Sequence, residues 1–411
     1  MASSPVSPEA PAPPDAAPGR WRMLALLALA ELLGMSLWFA ATAAVPELRA
    51  RWALDPAAVG WLTGAVQLGF VAGTATAAIL NLADLWPSRA YFAGAATLAA
   101  AANLALLAAP DYATALATRF AVGFCLAGVY PPAMKMVATW FRAWRGLAIG
   151  VLVGALTVGK AVPYLVHAFG GADLFAVTVP PAAGALAAAV LVAACYRDGP
   201  FPFPRRPFDW RLAAAVVRHR ESRLVAAGYL GHMWELYAMW TWVPAFLATS
   251  LMAAAHPRPL WAGDLAAFAT LAAGGLGCVW GGWAARRLGY ARVVTLAMAA
   301  SGACCLLVGL AFGAPLAILL PAVCVWGFFV VADSAQFSAL VTELAPPHAV
   351  GTALTLQTGL GFLLTLATIQ LVPLAVAAVG WRWAFAALAL GPALGIAAIA
   401  RLGRRPPAPT P

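Results

Sequence analysis

The 411-residue chain carries charge on only 10% of its residues, whereas 63% are hydrophobic, and its mean hydropathy is +0.85. Because a water-soluble protein carries roughly 25% charged residues, this composition excludes an ordinary soluble enzyme and predicts a membrane protein. The net charge of +10 indicates arginines that flank membrane spans rather than a nucleic-acid surface, because they are spread along the chain.

Two tails frame the apolar part of the chain. Residues 1–19 are rich in Pro, Ala and Ser and predict a disordered tail. They lack the basic n-region of a signal peptide, and the apolar run that follows is too long for an h-region. Residues 403–411 form a second tail.

Between the tails lie twelve apolar runs, each near the length of about 20 residues that a helix needs to cross a bilayer. None alternates apolar and polar residues as a membrane β-strand does. The sequence therefore predicts an all-α membrane protein with twelve transmembrane helices. The predicted spans are 22–45, 57–80, 89–109, 112–134, 146–168, 172–196, 223–248, 262–285, 291–312, 315–340, 350–376 and 382–402.

The longest connection, 197–222, divides the chain into two six-helix halves, 20–196 and 223–402. Prolines break helix in its first part, and its basic second part predicts a short surface helix. Orientation follows from Lys and Arg, which concentrate on the cytoplasmic side. Nineteen of them lie on the side of the termini and four on the other side, which predicts that both termini are cytoplasmic; the four are Arg49, Arg51, Arg258 and Arg382.

A repeated motif relates the two halves. The stretches "ELLGMSLW" and "ELYAMWTW" share the pattern E-L-x-x-M-x-x-W at an offset of 204 residues. The same offset relates Gly123–Phe124 to Gly327–Phe328 in the fourth helix of each half. A parallel duplication of six helices is one way to build a secondary transporter, with the substrate site at the interface of the halves. The repeated residues are Glu31, Leu32, Met35 and Trp38, and Glu235, Leu236, Met239 and Trp242.

Short motifs at equivalent places give a resemblance to the major facilitator superfamily. The stretch "LNLADLWPSR" is similar to the G-x-L-A-D-x-x-G-R-K motif of that family, although Leu80 and Pro87 replace both glycines. The stretch "GGWAARRLGYAR" is the second-half counterpart, with Arg286 at the acidic position, and Arg119 and Gly123 fit R-x-x-x-G. The resemblance covers all twelve helices and implies two pseudo-symmetric halves with helices 1, 4, 7 and 10 around a central cavity.

The resemblance also implies a gate between helices 2 and 3. In the family this motif forms a charge pair across the cytoplasmic ends, and here Asp84 is the residue for that role, with Arg89 or a basic residue after helix 4 as its partner. A helix cap is the alternative for Asp84. In helix 5, Gly146, Gly150, Gly154 and Gly159 predict a close-packing face. Lys160 stands where antiporters of the family tend to have proline, and this departure disfavours a drug antiporter.

Six ionisable side chains fall inside predicted spans, where a charge costs about 2.5–3.5 kcal/mol and indicates a function. Glu31 and Glu235 are predicted to face the cavity and to carry the coupled proton, because burial favours a protonated carboxyl group. Of the two, Glu235 is favoured because His232 lies one turn away and can share its proton. Helix packing is the alternative for all three. The remaining buried charges are Arg119, Lys160 and Asp333.

Arg119 and Lys160 are the predicted contacts for an anionic substrate, with a structural ion pair as the alternative for Arg119. Asp333 is interpreted as a gate residue or a helix cap. Since positions i, i+4 and i+7 share a helix face, Met35 and Trp38 lie on the face of Glu31. Met239 and Trp242 lie likewise on the face of Glu235. These four are predicted to form the cavity wall and to contact the substrate, and simple packing is their alternative.

The sequence predicts a proton-coupled secondary transporter of the inner membrane that moves a small solute, with a small anion favoured. Proton-coupled efflux of lipophilic compounds is one alternative, and a non-transporting receptor or assembly factor is another. No H-E-x-x-H, G-x-S-x-G or Walker motif occurs in the spans, so an enzyme is not expected. Six cysteines without C-x-x-C spacing indicate no metal site. No cofactor is expected, and the partners are a small-molecule substrate, protons and the lipid bilayer around a monomer.

Overall fold

The computed structural model describes residues 17–142, 144–170, 173–201 and 209–402, without the side chains of residues 83 and 84. The predicted tail 403–411 and most of the predicted tail 1–19 lie outside these residues. So does part of the central connection 197–222. Within the described residues the chain is all-helical, without a strand.

Twelve spans follow one another and are labelled α1 to α12 here. Eleven are long and apolar enough to cross a membrane. The exception is α1, which ends at Met35, passes through turns at residues 36–39 and continues as Ala40–Ala43. The bounds are α1 Arg20–Met35, α2 Pro56–Ile79, α3 Ser88–Ala105, α4 Tyr112–Leu126 with Tyr130–Ala138, α5 Arg145–Gly170, α6 Leu174–Cys195, α7 Arg220–Ala253, α8 Pro259–Leu288, α9 Tyr290–Leu307, α10 Leu316–Ala332 with Ser334–Leu344, α11 Val350–Val379 and α12 Trp381–Ile399.

The prediction of twelve transmembrane helices is confirmed, and the connections hold short helices. Val45–Trp52 lies between α1 and α2, and Leu82–Leu85 lies between α2 and α3. The predicted surface helix of the central connection is Trp210–Arg218. It packs against α7 and α11.

Local sequence signals set several helix ends. Asp55 caps α2 by accepting a hydrogen bond from the backbone N–H of Ala58 at 2.7 Å, and Pro56 follows as the first helical residue. Asp111 caps α4 in the same way. Gly380, at φ 72°, ends α11 in a backbone conformation that glycine adopts without strain.

The two halves have the same internal packing. Within the first half, α1 packs against α5 and α6, α2 against α4, and α3 against α4 and α6. Within the second half, α7 packs against α11 and α12, α8 against α10, and α9 against α10 and α12. Every pair of the first half therefore has its counterpart in the second, as the sequence repeat predicts.

The repeat extends to single backbone contacts. A Cβ atom on Gly123 would lie 2.0 Å from the carbonyl oxygen of Val66, and one on Gly327 would lie 1.9 Å from that of Thr270. Val66 and Thr270 are themselves 204 residues apart. In both halves the fourth helix thus approaches the second so closely that only glycine fits.

The halves meet along two helix pairs, α5 with α8 and α2 with α11. The predicted glycine face of α5 is confirmed at Gly150 and Gly154, where an added Cβ would lie 2.6 Å and 2.7 Å from backbone oxygens of α8. Gly159 points elsewhere: an added Cβ would lie 2.2 Å from the carbonyl oxygen of Leu32 in α1. The end of the bundle where α1 begins and α12 ends is called the terminal face below, and the other end the opposite face.

Candidate functional site

A cavity of about 60 Å³ lies between the two halves. It receives side chains from α1, α2, α4 and α5 of the first half and from α7, α10 and α11 of the second. The residues that line it are Met35, Trp38, Phe70, Tyr130, Val153, Leu156, Thr157, Lys160, Tyr229, Met233, Leu236, Tyr237, Trp240, Val331, Ser334, Ser338, Thr358 and Phe362. Lys160 is the only charged residue among these, and the other polar side-chain groups are hydroxyls and the indole N–H groups of Trp38 and Trp240.

Lys160 is held in an aromatic cage. Its Nζ atom lies 3.9 Å from the ring centre of Trp38, 4.7 Å from that of Tyr237 and 5.2 Å from that of Trp240. It also donates a hydrogen bond to the hydroxyl of Tyr237. Rings of this kind attract a cation through their electron-rich faces, so the cage stabilises an ammonium group that is 98% buried, at 2% exposure.

Glu31 lies beside this cage. The contact between Gly159 of α5 and Leu32 of α1 brings the neighbouring residues Lys160 and Glu31 close enough to interact electrostatically. Glu31 is fully buried, and both of its carboxyl oxygens lack a hydrogen-bond partner among the described residues. A buried carboxyl group without donors is a costly arrangement, and the positive charge of Lys160 offsets part of that cost.

Arg119 has a different environment from the predicted one. It is fully buried inside the first half, where its guanidinium donates to the Asn103 Oδ1 atom and to the carbonyl oxygens of Leu37 and Trp38, each at 2.8 Å. These carbonyls belong to the turns at residues 36–39, where α1 loses its helical hydrogen bonds. Arg119 therefore supports the break in α1 and the position of Trp38, rather than lining the cavity.

An aromatic layer closes the cavity towards the opposite face. Trp38 contacts Tyr237 and Phe362 across the interface of the halves, with ring centres 5.7 Å and 6.0 Å apart, and Phe39 contacts Trp240 at 6.4 Å. The rings of Trp38, Phe39 and Trp240 are almost completely buried. On the terminal side of the layer, the lining hydroxyl residues Ser334, Ser338 and Thr358 are partly exposed.

Glu235, the repeat counterpart of Glu31, is held by hydrogen bonds inside the second half. Trp326 Nε1 donates to its Oε1 atom at 2.7 Å, and Ser301 Oγ donates to its Oε2 atom at 3.0 Å. Glu235 is 1% exposed and is not among the described residues that line the cavity. Each carboxyl oxygen of Glu235 therefore has a hydrogen-bond donor, as buried polar groups usually do.

His232 contacts Asp333 rather than Glu235. The His232 Nδ1 atom lies 2.9 Å from the Asp333 Oδ1 atom, and both side chains are buried. Asp333 sits at the break between the two parts of α10 but makes no capping hydrogen bond with its side chain. The described contact of His232 is with a different carboxylate, so the sharing of a proton between His232 and Glu235 stays a prediction.

The prediction that Glu31 and Glu235 face the cavity, with Arg119 as a substrate contact, does not match this structure, and Asp333, the predicted gate or cap residue, lies outside the lining as well. None of the four is among the described lining residues. Each is turned into its own half, where Arg119 and Glu235 hydrogen-bond to neighbouring helices and Asp333 contacts His232. Of the predicted ionisable groups, only Lys160 reaches the cavity.

The predicted cavity-wall residues divide between the halves. Met35 and Trp38 line the cavity, whereas Met239 and Trp242 do not. Trp242 instead donates a hydrogen bond from Nε1 to the carbonyl oxygen of Ile369 in α11 at 2.7 Å. Met239 is fully buried. Both residues of the second half therefore have a packing role in this structure.

The predicted gate between α2 and α3 is only partly visible. Asp84 belongs to the short helix Leu82–Leu85, but its side chain lies outside the described residues. Arg89 is an exposed residue in the first turn of α3. The charge pair between them stays a prediction.

One polar contact between the halves was not predicted from the sequence. The His167 Nδ1 atom of α5 lies 2.6 Å from the Asp264 Oδ2 atom of α8, near the opposite face. His167 is 8% exposed. The signal available in the sequence was a histidine and an aspartate near the ends of two predicted spans, but nothing in the sequence showed that these spans are neighbours. The described residues contain no cluster of His, Cys, Asp or Glu that would hold a metal ion.

Comparison with solved structures places this architecture among membrane transporters. A bacterial homologue of the human lysosomal transporter Spinster, in an inward-facing and unoccupied conformation, superimposes with a TM-score of 0.70 at 15% identity, covering 96% of this chain and 100% of that one. The nucleoside transporter NupG gives 0.68 at 14% identity, covering 93% and 100%. The human organic anion transporter MFSD10 also gives 0.68 at 14% identity, with the same coverage. At these identities the likeness shows the fold.

Sequence comparison gives one curated relative and a family. The niacin transporter NiaP of Acinetobacter baylyi is 36% identical over 121 residues, which are 29% of this chain and 27% of that protein. The match therefore spans about a quarter of the length of that relative. Residues 27–367 match the Major Facilitator Superfamily, and the chain belongs to this family of membrane transporters.

Proposed function

We propose that this transporter moves a small organic anion together with a proton. The observation that carries the proposal is Lys160, the only charged residue among the described side chains that line the cavity between the halves. Alternating access requires a site at the interface of the two halves, and Lys160 is in that position. An ammonium group in an apolar surrounding binds an anion more strongly than it does in water.

The lining of the cavity favours a planar carboxylate. The rings of Trp38, Tyr237 and Trp240 surround the ammonium group and offer flat apolar surfaces to an aromatic substrate. Ser334 and Ser338 supply hydroxyl groups for its polar edge. The similarity over 121 residues to a niacin transporter supports the same chemistry, because niacin is a small aromatic carboxylate.

Coupling follows from the position of Glu31. When Glu31 is ionised, its carboxylate neutralises Lys160 and competes with the substrate anion for the positive charge. When Glu31 is protonated, the charge of Lys160 is available to the anion. The anion and the proton therefore bind together, which is the requirement for symport. This assigns the proton to Glu31 rather than to Glu235, whose oxygens already accept two hydrogen bonds.

Other predicted residues receive supporting roles. Arg119 positions Trp38 through the two carbonyl oxygens of the α1 break. His232 and Asp333 form a buried pair at the break of α10, and we propose that this contact holds the two parts of that helix against α7. Asp84 and Arg89 are proposed to gate the terminal face as a charge pair.

We assign the terminal face to the cytoplasm and the protein to the inner membrane as a monomer. The support for the orientation is the distribution of Lys and Arg, nineteen on the terminal side and four on the opposite side. A reporter fused after residue 402 that is active only in the cytoplasm is the expected result. Activity of that reporter only outside the cytoplasm would reverse the assignment.

Efflux of lipophilic compounds is the second candidate, because aromatic rings make up much of the cavity wall. The two candidates differ in the use of charge. An anion transporter needs the ammonium group of Lys160. A cationic compound would be repelled by that group, and the binding of a neutral lipophilic compound would not depend on it.

Transport by the purified protein in proteoliposomes tests the proposal. Labelled nicotinate, benzoate and nitrate are offered as anions, and ethidium as a lipophilic cation, with and without an imposed pH difference. The expected result is accumulation of a carboxylate driven by an acidic outside. Transport of ethidium with no transport of any anion would overturn the proposal in favour of efflux, and no flux of any probe class would favour a receptor.

A further inference from the structure

A second pocket lies at the terminal face, outside the transport cavity. It has a volume of about 280 Å³ and is lined by Trp144, Trp283, Arg286 and Arg287. Trp144 belongs to the connection before α5 in the first half, and the other three belong to the last two turns of α8 in the second half. The pocket therefore bridges the halves at the end of the α5–α8 interface.

The pocket pairs each arginine with a tryptophan. The guanidinium carbon of Arg286 lies 3.6 Å from the ring centre of Trp144, and that of Arg287 lies 4.6 Å from the ring centre of Trp283. Guanidinium groups stacked on rings keep their N–H donors directed outward from the edge. Among the described residues no carboxylate lies within ion-pairing distance of either arginine, so both positive charges are available to a ligand.

The pocket also continues a surface that faces lipid. Leu276 is 69% exposed and Trp283 is 44% exposed, and both lie on α8, a membrane span. Because successive residues of an α-helix are 100° apart around its axis, Leu276, Trp283 and Arg287 lie within about 40° of one another around α8. One stripe of α8 thus runs from the apolar interior of the bilayer to the guanidinium group of Arg287, and Arg286 lines the same pocket beside it. Tryptophan and arginine are typical of the headgroup level.

We propose that this pocket binds an anionic phospholipid. The phosphate group would accept hydrogen bonds from Arg286 and Arg287, which match its oxygens in geometry, and the acyl chains would lie along the stripe of Leu276 and Trp283. A soluble phosphate satisfies the arginines but makes no use of that stripe, and a zwitterionic lipid would bring a positive charge of its own next to the two arginines. Because Trp144 and Arg286 belong to different halves, the bound lipid stabilises the arrangement in which their side chains stack.

Native mass spectrometry of the detergent-purified full-length protein tests the proposal, with phosphatidylglycerol as the probe and phosphatidylcholine as the comparison lipid. The expected result is one retained phosphatidylglycerol with preference over phosphatidylcholine. Arg286→Gln with Arg287→Gln should weaken this binding about 30-fold, since each arginine near an anionic headgroup contributes about 1 kcal/mol and each 1.4 kcal/mol is tenfold.

Arg258→Gln is the matched control. Arg258 is also an exposed arginine stacked on a tryptophan, with 5.1 Å to the ring centre of Trp261. It lies at the opposite face and is not part of the pocket. It should retain phosphatidylglycerol like the unaltered protein. Equal loss in this variant, or no loss in the double variant, would overturn the proposal.

Two further arms keep the result interpretable. Glycerol phosphate, which has the phosphate without the chains, should not displace the lipid, and displacement at equal concentration would identify a soluble-anion site instead. If the double variant elutes as aggregate, Trp144→Leu replaces it, because that variant keeps both arginines and removes the ring that Arg286 stacks on. It should weaken binding less than the double variant is expected to, and unchanged binding would contradict a pocket that bridges the halves.

Discussion

The two halves carry the same motif around Glu31 and Glu235, yet they surround these carboxyl groups differently. Glu31 lacks a hydrogen-bond partner among the described residues and interacts with Lys160. Glu235 accepts hydrogen bonds from Trp326 and Ser301. A repeated motif therefore fixes where a carboxyl group lies in each half, but the neighbouring helices decide what that group contacts.

The difference originates in residues that the repeat does not share. The positions 204 residues after Arg119 and Lys160 hold Val323 and Leu364. Accordingly, α1 breaks where Arg119 can bind its free carbonyls, whereas α7 continues as one helix from Arg220 to Ala253. The shared glycines lie at equivalent backbone contacts in both halves. Of the two unshared cations, Arg119 binds the carbonyls of the α1 break and Lys160 lines the cavity.

Removal of Arg119 should have the largest effect. Arg119→Leu leaves the carbonyl oxygens of Leu37 and Trp38 without their donor, and each lost hydrogen bond to a charged group costs about 1.5–3 kcal/mol. We expect a large drop in melting temperature and little folded protein. Arg119→Lys should recover only part of the stability, because an ammonium group does not reproduce the planar fork. A melting temperature equal to that of the unaltered protein for Arg119→Leu would contradict the proposed support of the α1 break.

Neutralisation of Lys160 should affect substrate binding but not folding. Lys160→Gln removes the charge that the anion needs, so the apparent KM for a carboxylate should rise about 10- to 100-fold, as loss of a charged hydrogen bond predicts. Initial uptake rates in proteoliposomes measure this change. The other lysine of the chain, Lys135, does not line the cavity, and Lys135→Gln should leave KM unchanged. Equal KM values for both variants would remove Lys160 from the substrate site.

A larger residue at the contact of α5 with α1 should push these helices apart and separate Glu31 from Lys160. In Gly159→Ala the new Cβ would lie 2.2 Å from the Leu32 carbonyl oxygen, and forced overpacking costs about 1–3 kcal/mol. We expect lower thermal stability and weaker coupling of uptake to pH. Gly146→Ala on the same helix is the control, because its nearest neighbour would be 3.7 Å away, and it should behave like the unaltered protein. Similar losses of stability and of pH coupling in both variants would show that any added side chain on α5 has this effect, whether or not it lies near Leu32.

The smallest effect is expected where Glu235 loses one of its two donors. Ser301→Ala removes the 3.0 Å hydrogen bond to Oε2 and should lower the free energy of unfolding by about 1 kcal/mol, measured by thermal or detergent denaturation. Uptake driven by a pH difference should persist. Thr97→Ala, which removes an exposed bond within one helix, is the control. Loss of coupling in Ser301→Ala alone would assign to Glu235 the role proposed for Glu31.

The sequence predicted the fold because local signals were sufficient for it. The length of the apolar runs gave the spans, and the offset of 204 gave the two halves, which the equivalent contacts Gly123–Val66 and Gly327–Thr270 confirm. The break in α1 was not predicted. Its turns follow Met35 without a proline, and the guanidinium that stabilises them comes from Arg119, 82 residues away from Leu37 along the chain.

The site was predicted only in part because it depends on which faces of distant helices meet. Lys160, Met35 and Trp38 were identified by charge and spacing, and they do line the cavity. The cage partners Tyr237 and Trp240 were not predicted, because the repeat does not include them: the positions 204 residues earlier hold Leu33 and Ser36. Likewise, His232 was paired with its neighbour in sequence, whereas in the structure it contacts Asp333 across to α10.

The most direct test compares the two carboxyl groups in one assay. Glu31→Gln and Glu235→Gln are each reconstituted, and the same vesicles are used for counterflow exchange without a gradient and for accumulation driven by a pH difference. We predict that Glu31→Gln retains exchange and loses accumulation, because its neutral side chain leaves Lys160 free for the anion but carries no proton. Glu235→Gln should retain both activities. Accumulation by Glu31→Gln equal to that of the unaltered protein, or its loss in Glu235→Gln alone, would contradict the assignment of the coupled proton to Glu31.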